Sequence, residues 1–313
     1  GDELYVATFA PGSAKMVKDI NPGTGNSDPY YITAVGTKVF FRADDGTNGD
    51  EPWVSDGTAA GTKMLSNYSG SSSGGFYHPI AMGGFCYYCT RNATSGYDLY
   101  KSDGTAAGTT VVKNFSSSWD NPIALGSKII FEGYDSASGY EVWVTDGTAA
   151  GTMMLSDTVS GSSSGYCYYP AVLGSKVLYW SRVSGTYEMW ETDGTKANTK
   201  KIGTPTGIND YWRQPISIGS KIVFNGETTA NGNEPWITDG TLAGTKMIKD
   251  IDAGTGDGWT YYYEPGEAAG KVYFEGDDGT GDTLWVTDGT SAGTKILKKI
   301  TTELYTAGCG TKA

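Results

Sequence analysis

The chain has one histidine, four cysteines in 313 residues and only 19% charged residues. It also lacks any apolar run of about 18 residues, the length a helix needs to cross a bilayer. Each scarcity excludes something. One histidine cannot build a histidine-rich metal site. Four cysteines are too few for a disulfide-stapled miniprotein. Without a long apolar run, no helix inserts into a membrane. Basic residues are outnumbered, 23 Lys and Arg against 35 Asp and Glu, and the net charge of −12 argues against nucleic acid as a partner. What is abundant is 46 Gly, 22 Tyr and 9 Trp. That aromatic content argues against disorder, and with the glycines it predicts many short strands joined by tight turns.

Self-similarity then organises the chain. EPWVSDGT at Glu51–Thr58 returns as YDLYKSDGT, EVWVTDGT, EMWETDGT, EPWITDGT and TLWVTDGT. The aspartates fall at Asp56, Asp103, Asp146, Asp193, Asp239 and Asp288, in steps of 47, 43, 47, 46 and 49 residues. A worn seventh copy, ELYVAT, opens the chain at Glu3–Thr8. Each period carries four strand signals, and one connection per period is long, as in NYSGSSSGGFYHP. A four-stranded period of 40–50 residues reads as a β-propeller blade. The long connection fits the crossing from an outermost strand to the next innermost one. The expected fold is therefore all-β, a seven-bladed β-propeller in a single domain, residues 1–313. Its units lie at about 30–66, 76–113, 121–156, 168–202, 215–250 and 264–300. A closing blade would be split between residues 1–20 and 301–313, because TAGCGTK near the C-terminus resembles Thr33–Lys38.

Local chemistry explains the repeated letters. In DGT the carboxylate accepts hydrogen bonds from amides two residues on, and Gly takes a positive φ, so these aspartates are expected to be turn caps. Trp53, Trp143, Trp190, Trp236 and Trp285 lie on the third strand, where packing between blades needs a large wedge. These residues, with the tails MVKDINPGTGN and MIKDIDAGTGD, make the chain resemble the ELWxxDGT repeat family. That resemblance implies a propeller in secreted or cell-surface proteins, and it supplies no active site.

In propeller topology the crossing loops share a face with the loops between second and third strands. That face collects Trp119, Tyr168, Tyr169, Trp212, Trp259, Tyr261 and Tyr262, with Asp210 and Asp257 among its acids. Aromatic rings stack on sugars and hold cations, and carboxylates bond hydroxyls or basic groups. These nine residues are the expected ligand-binding surface, and the expected partner is a glycan or an extracellular protein. Two acidic glycine loops, Asp44, Asp45 and Asp50 in one and Asp277, Asp278 and Asp282 in the other, offer the hard oxygens calcium takes, although their spacing is not that of an EF-hand. No other cofactor is implied.

Enzymatic readings are weaker. His78 is the one imidazole. Cys86 and Cys89 lie three apart in a strand, about 10 Å by the rise per residue, beyond disulfide reach. They read as buried structural thiols. Sequons occur at Asn67, Asn92 and Asn114. The functional expectation is an extracellular, non-enzymatic binding or adhesion module. Its alternative is a structural subunit of an extracellular appendage, filament or matrix whose closing blade a partner completes, and a carbohydrate-active enzyme comes third.

Overall fold

The computed structural model describes residues 1–299 apart from 9, 11, 69–73, 93–95, 206, 209–212 and 261–263. The chain forms two compact units, residues 1–164 and 165–313. The first holds a two-stranded sheet, blade 1 (Leu4–Val6, Lys15–Lys18), and three four-stranded antiparallel sheets. These are blade 2 (Tyr30–Val35, Lys38–Asp44, Asp50–Ser55, Lys63–Met64), blade 3 (Tyr77–Met82, Phe85–Arg91, Tyr97–Ser102, Thr110–Phe115) and blade 4 (Asp120–Leu125, Lys128–Asp135, Gly139–Thr145, Met153–Ser156). The second unit holds blade 5 (Tyr168–Leu173, Lys176–Val183, Thr186–Thr192, Lys200–Gly203), blade 6 (Arg213–Ile218, Lys221–Thr228, Gly232–Thr238, Lys246–Met247) and blade 7 (Gly266–Ala268, Lys271–Asp277, Asp282–Thr287, Lys295–Lys299). Strands follow chain order in every sheet. The fold is an all-β propeller. The expected contribution of residues 301–313 to blade 1 lies outside the described residues.

The core is built from cross-strand aromatic pairs. The third-strand tryptophan faces a second-strand aromatic in register: Phe41 opposite Trp53, Phe131 opposite Trp143, Tyr179 opposite Trp190, Phe224 opposite Trp236 and Phe274 opposite Trp285. Such pairs stabilise a sheet beyond the area they bury. In blades 4, 6 and 7 the tryptophan edge lies over a second-strand glycine. A Cβ on Gly133, Gly226 or Gly276 would come within 2.8, 2.8 and 2.9 Å of the indole Cδ1. A lysine on or just after the outer strand then reaches to the next blade. Lys18, Lys113 and Lys249 place Nζ 5.4, 5.5 and 5.3 Å from the ring centres of Trp53, Trp143 and Trp285, within cation–π range.

The DGT turns repeat one hydrogen-bond network. In blade 4, Asp146 Oδ1 accepts from Thr148 N at 2.9 Å and from Thr148 Oγ1 at 2.7 Å. Gly151 N donates to Thr148 Oγ1 at 3.0 Å, and Thr152 Oγ1 donates to the Thr148 carbonyl at 2.7 Å. The aspartates are turn caps, as their spacing predicted. The glycine of AGT is required because a Cβ at Gly151 would meet the Asp146 carboxylate at 2.1 Å. In blade 5 Asn198 takes that place and compensates by donating its amide to Asp193 Oδ2 at 2.6 Å.

A second repeated device is the buried glutamate that opens the third strand. Glu3 accepts from Ile20 N and Asn21 N, Glu141 from Thr158 N and Val159 N, and Glu234 from Ile251 N and Asp252 N. Glu51 does the same for Tyr68 N and Gly74 N. Each carboxylate pins the crossing loop to its own blade, supplying acceptors that buried amides need.

Candidate functional site: the inner-strand bulges

Each crossing loop delivers the chain into an innermost strand that pairs on one side only, with its second strand. In blades 2 to 6 that strand carries a register shift after its first residue, between Tyr30 and Thr33, Tyr77 and Ile80, Asp120 and Ile123, Tyr168 and Ala171, and Arg213 and Ile216. The residue inside each bulge has a left-handed backbone: Tyr31 at φ 56°, His78 at 48°, Asn121 at 49°, Tyr169 at 45° and Gln214 at 50°. Proline follows four of them, at Pro79, Pro122, Pro170 and Pro215. A residue before proline prefers an extended backbone, so the left-handed state is disfavoured twice. Backbone strain of this kind costs about 1–3 kcal/mol and gathers at functional sites, as bulges do.

In the first unit the bulges of blades 2, 3 and 4 bring polar groups together. His78 Nδ1 faces Asp120 Oδ1 at 3.5 Å, and the Tyr31 ring lies 6.1 Å from the imidazole. Asp120 Oδ1 also accepts from Asn121 N at 2.7 Å. The His78 side chain is 34% exposed and that of Asp120 50%. Next to them Tyr30 stands edge-on to Tyr31, and Arg42 lies over the Tyr30 ring at 5.4 Å. Among the described residues no serine, threonine or cysteine is hydrogen-bonded to His78. In the second unit Tyr169 is 38% exposed, and Gln214 Oε1 accepts from the Trp259 indole at 3.1 Å.

The expected aromatic rim divides. Trp119 and Trp259 are fully buried and are corrected from ligand surface to core. Trp119 stands edge-on to Phe131 at 5.1 Å and donates Nε1 to the Tyr77 carbonyl at 3.4 Å, while Trp259 stacks on Phe274 at 4.1 Å. Their crossing loops fold back over the blade, so a large ring there fills the space beneath the loop. Tyr168 is half-buried, stacked on Tyr166 at 4.9 Å. Asp257 Oδ1 is bonded to Asn233 N and Nδ2 at 2.9 and 3.0 Å, which makes it a loop clamp. Asp210, Trp212, Tyr261 and Tyr262 lie outside the described residues.

The acidic loops bond to themselves. Asp44 Oδ1 accepts from Gly46 N, Asp45 from Thr47 N, Asn48 N and Asn48 Nδ2, and Asp50 pairs with Arg42 at 3.6 Å. Asp277 Oδ1 accepts from Gly279 N and Gly281 N, and Asp278 from Thr280. Asp282 is exposed. Among the described residues no three His, Cys, Asp or Glu side chains converge as a metal set. Cys86, Cys89 and Cys167 are buried, and among the described residues none of them is in a disulfide. Burial pushes the Cys86 thiol far up and that of Cys89 up to about 12, which removes the thiolate that redox chemistry needs.

Sequence reasoning noted His78 as the one imidazole but missed Tyr31, Asn121 and Gln214. A positional signal existed for two of these: Asn121 and Gln214 immediately precede the proline that ends their crossing loops.

No family model matches the sequence, and no curated protein matches it. Solved structures match by fold. The chain is similar to a prolyl endopeptidase from a study of two such enzymes, with a TM-score of 0.61 and 13% identity over 94% of this chain and 46% of that one. It is similar to prolyl oligopeptidase B from Galerina marginata, with a TM-score of 0.58 and 12% identity over 91% of this chain and 43% of that one. It is also similar to an oligogalacturonate lyase in complex with manganese, with a TM-score of 0.54 and 12% identity over 87% and 79%. The chain thus spans less than half of each peptidase. These likenesses correct the expectation of a non-enzymatic extracellular adhesion module and of its appendage-subunit alternative, because the similar structures are those of peptidases and a lyase. At this identity what is shown is the β-propeller fold.

Proposed function

We propose that this propeller receives an extended peptide at the inner-strand bulges of its first unit and delivers it to a catalytic domain carried by other residues. The observation that carries the reading is the recurrent left-handed bulge. It places Tyr31, His78, Asp120 and Asn121 on neighbouring inner strands whose inward edges have no strand partner among the described residues. An open strand edge supplies main-chain donors and acceptors for a peptide, and nearby side chains supply selectivity. Here the selecting groups are a carboxylate, an imidazole and tyrosine rings, which favour a cationic peptide through charge and cation–π contact. The similarity to peptidases whose chains are more than twice as long supports a domain that works beside a catalytic one. The resemblance to ELWxxDGT repeats supports an extracellular or cell-surface setting.

Fluorescence anisotropy with labelled peptides of graded charge tests this. Cationic peptides should bind, and Asp120→Asn should weaken them about tenfold, the size of one partly exposed charge contact. His78→Gly should also weaken binding while leaving the melting temperature unlowered, because glycine accepts the left-handed backbone without strain. Mass spectrometry should recover every peptide uncut. Absence of peptide binding, or equal binding to the Asp120→Asn variant, sinks the reading.

A further inference from the structure

In the second unit the repeat departs from its pattern at one place, and the departure puts charge into a cavity between two blades. The third-strand residue two before the DGT aspartate is Val54, Val144, Ile237 or Val286 in blades 2, 4, 6 and 7. Blade 3 has Lys101, which lies over Phe85 where other blades carry the turn lysine. Blade 5 has Glu191, which is 8% exposed. In blade 2 the turn lysine, Lys38, crosses to the next blade and donates to the Asp103 carbonyl at 2.8 Å. In blade 5 the equivalent Lys176 is held back on Glu191 Oε2 at 2.8 Å. Glu191 Oε1 takes a second ammonium, Lys200, at 3.4 Å.

Beside this pair lies a cavity of about 680 Å³ between blades 5 and 6, larger than the one of about 390 Å³ at the equivalent place between blades 6 and 7, where Lys221 and Ile237 stand. Its apolar wall is Leu173, Ile202 and Leu242, and its charged side is Lys176, Lys200 and Lys201 around Glu191. Asp239 also lines it, with Oδ1 bonded into its own turn by Thr241 N and Oγ1. Two ammonium groups therefore share one buried carboxylate. Lys200 is the looser of the two, with a side chain 66% exposed. Lys201 adds a third ammonium, paired with Glu188. Leu242 is 42% exposed beside them.

We propose that this cavity binds a carboxylate carried on a short apolar body. The ligand carboxylate takes Lys200 and the face of Lys176 that Glu191 leaves open, and the apolar body covers Leu242, Ile202 and Leu173. The assignment uses blades 5 and 6 alone and is independent of the inner-strand reading. An acyl chain and a peptide C-terminus share this chemistry, so the test has two arms. Octanoate and N-acetyl-leucine are titrated calorimetrically against the full chain, beside their neutral counterparts 1-octanol and N-acetyl-leucinamide. At least one carboxylate should bind, with its neutral counterpart about tenfold weaker or more, as for loss of one charge contact. Binding of octanoate alone identifies an acyl chain, and binding of N-acetyl-leucine alone identifies a peptide terminus. Lys200→Ala, at an exposed position that leaves the fold intact, should weaken binding severalfold. Glu191→Gln should strengthen it, because both ammonium groups are then free for the ligand. The proposal is overturned if neither carboxylate binds at millimolar concentration. It is equally overturned if charged and neutral probes bind alike, or if Lys200→Ala and Glu191→Gln leave the affinity unchanged.

Discussion

At the residue scale two kinds of carboxylate do opposite things with pH. The Asp146 carboxylate is held below its usual value by the Thr148 hydroxyl and then by the Thr148 amide. Asp103, Asp239 and Asp288 are held down in the same way by Thr105, Thr241 and Thr290. A depressed pKa means the folded state binds the proton less tightly than the unfolded one. The turns therefore contribute stability above pH 3.8, the usual aspartate value, and lose it as pH falls further. Each contribution is small because these groups face solvent. Asp146→Ala should cost about 0.5–2 kcal/mol, by analogy with lost helix caps, read from a denaturant midpoint at unchanged slope. Glu234 goes the other way. Burial, reinforced by the charge of Asp250, outweighs the hydrogen bonds it accepts from the backbone amides of Ile251, Asp252 and Gly258 and raises its pKa to about 8 from 4.5. The folded state then holds a proton that the unfolded state has released. Stability contributed by this group is complete below pH 4.5 and declines as pH rises toward 8. Melting temperature should fall over that range in the native chain, and Glu234→Gln should flatten the decline. An unchanged slope in the variant would show that Glu234 is ionised throughout.

At the element scale the blade depends on complementary sizes on adjacent strands. Trp236 uses the space that Gly226 leaves, with Phe224 beside it. Gly226→Ala drives a Cβ into Trp236 at 2.8 Å and toward Phe224 at 3.1 Å. Overpacking of this kind costs about 1–3 kcal/mol, and chemical denaturation should show a loss of that size. The inner strands show the reverse economy, in which a side-chain-bearing residue keeps a backbone that glycine would adopt freely. The outer strand of blade 7 has a third logic. All five residues of Lys295–Lys299 are exposed, among them Ile296 and Leu297. Three lysines on such a strand oppose edge-to-edge pairing. Lys298→Val with Lys299→Val should raise the sedimentation-detected oligomer fraction without lowering the melting temperature.

At the scale of the whole molecule the charge balance sets behaviour in solution. With a net charge of −12 and a sequence pI near 4.5, self-repulsion keeps the chain dispersed at neutral pH and vanishes on mild acidification. Light scattering should therefore find the solubility minimum near pH 4.5 even though the turn carboxylates there still support the fold. A minimum displaced toward neutrality would mean that apolar edges, and not net charge, govern association.

Much of this was readable without coordinates, for a physical reason. A propeller repeats one local solution, so the DGT caps and the strand order were written six times over and the third-strand tryptophan five times, and repetition separated signal from chance. Hydrogen bonds that span two to five residues, as from Thr148 to Asp146 or from Asn198 to Asp193, depend on the local chain alone. The candidate sites were different. Whether Trp119 and Trp259 face solvent depends on how each crossing loop folds over its blade, and a sequence carries no term for that. The meeting of His78 with Asp120 joins residues 42 apart, through two bulges whose left-handed backbone no propensity of His or Asn requires. Glu191 looked like one more polar strand residue. Only the packed sheets show that it holds Lys176 in its own blade at the edge of a cavity, because that placement is made between elements distant in the chain and close in space.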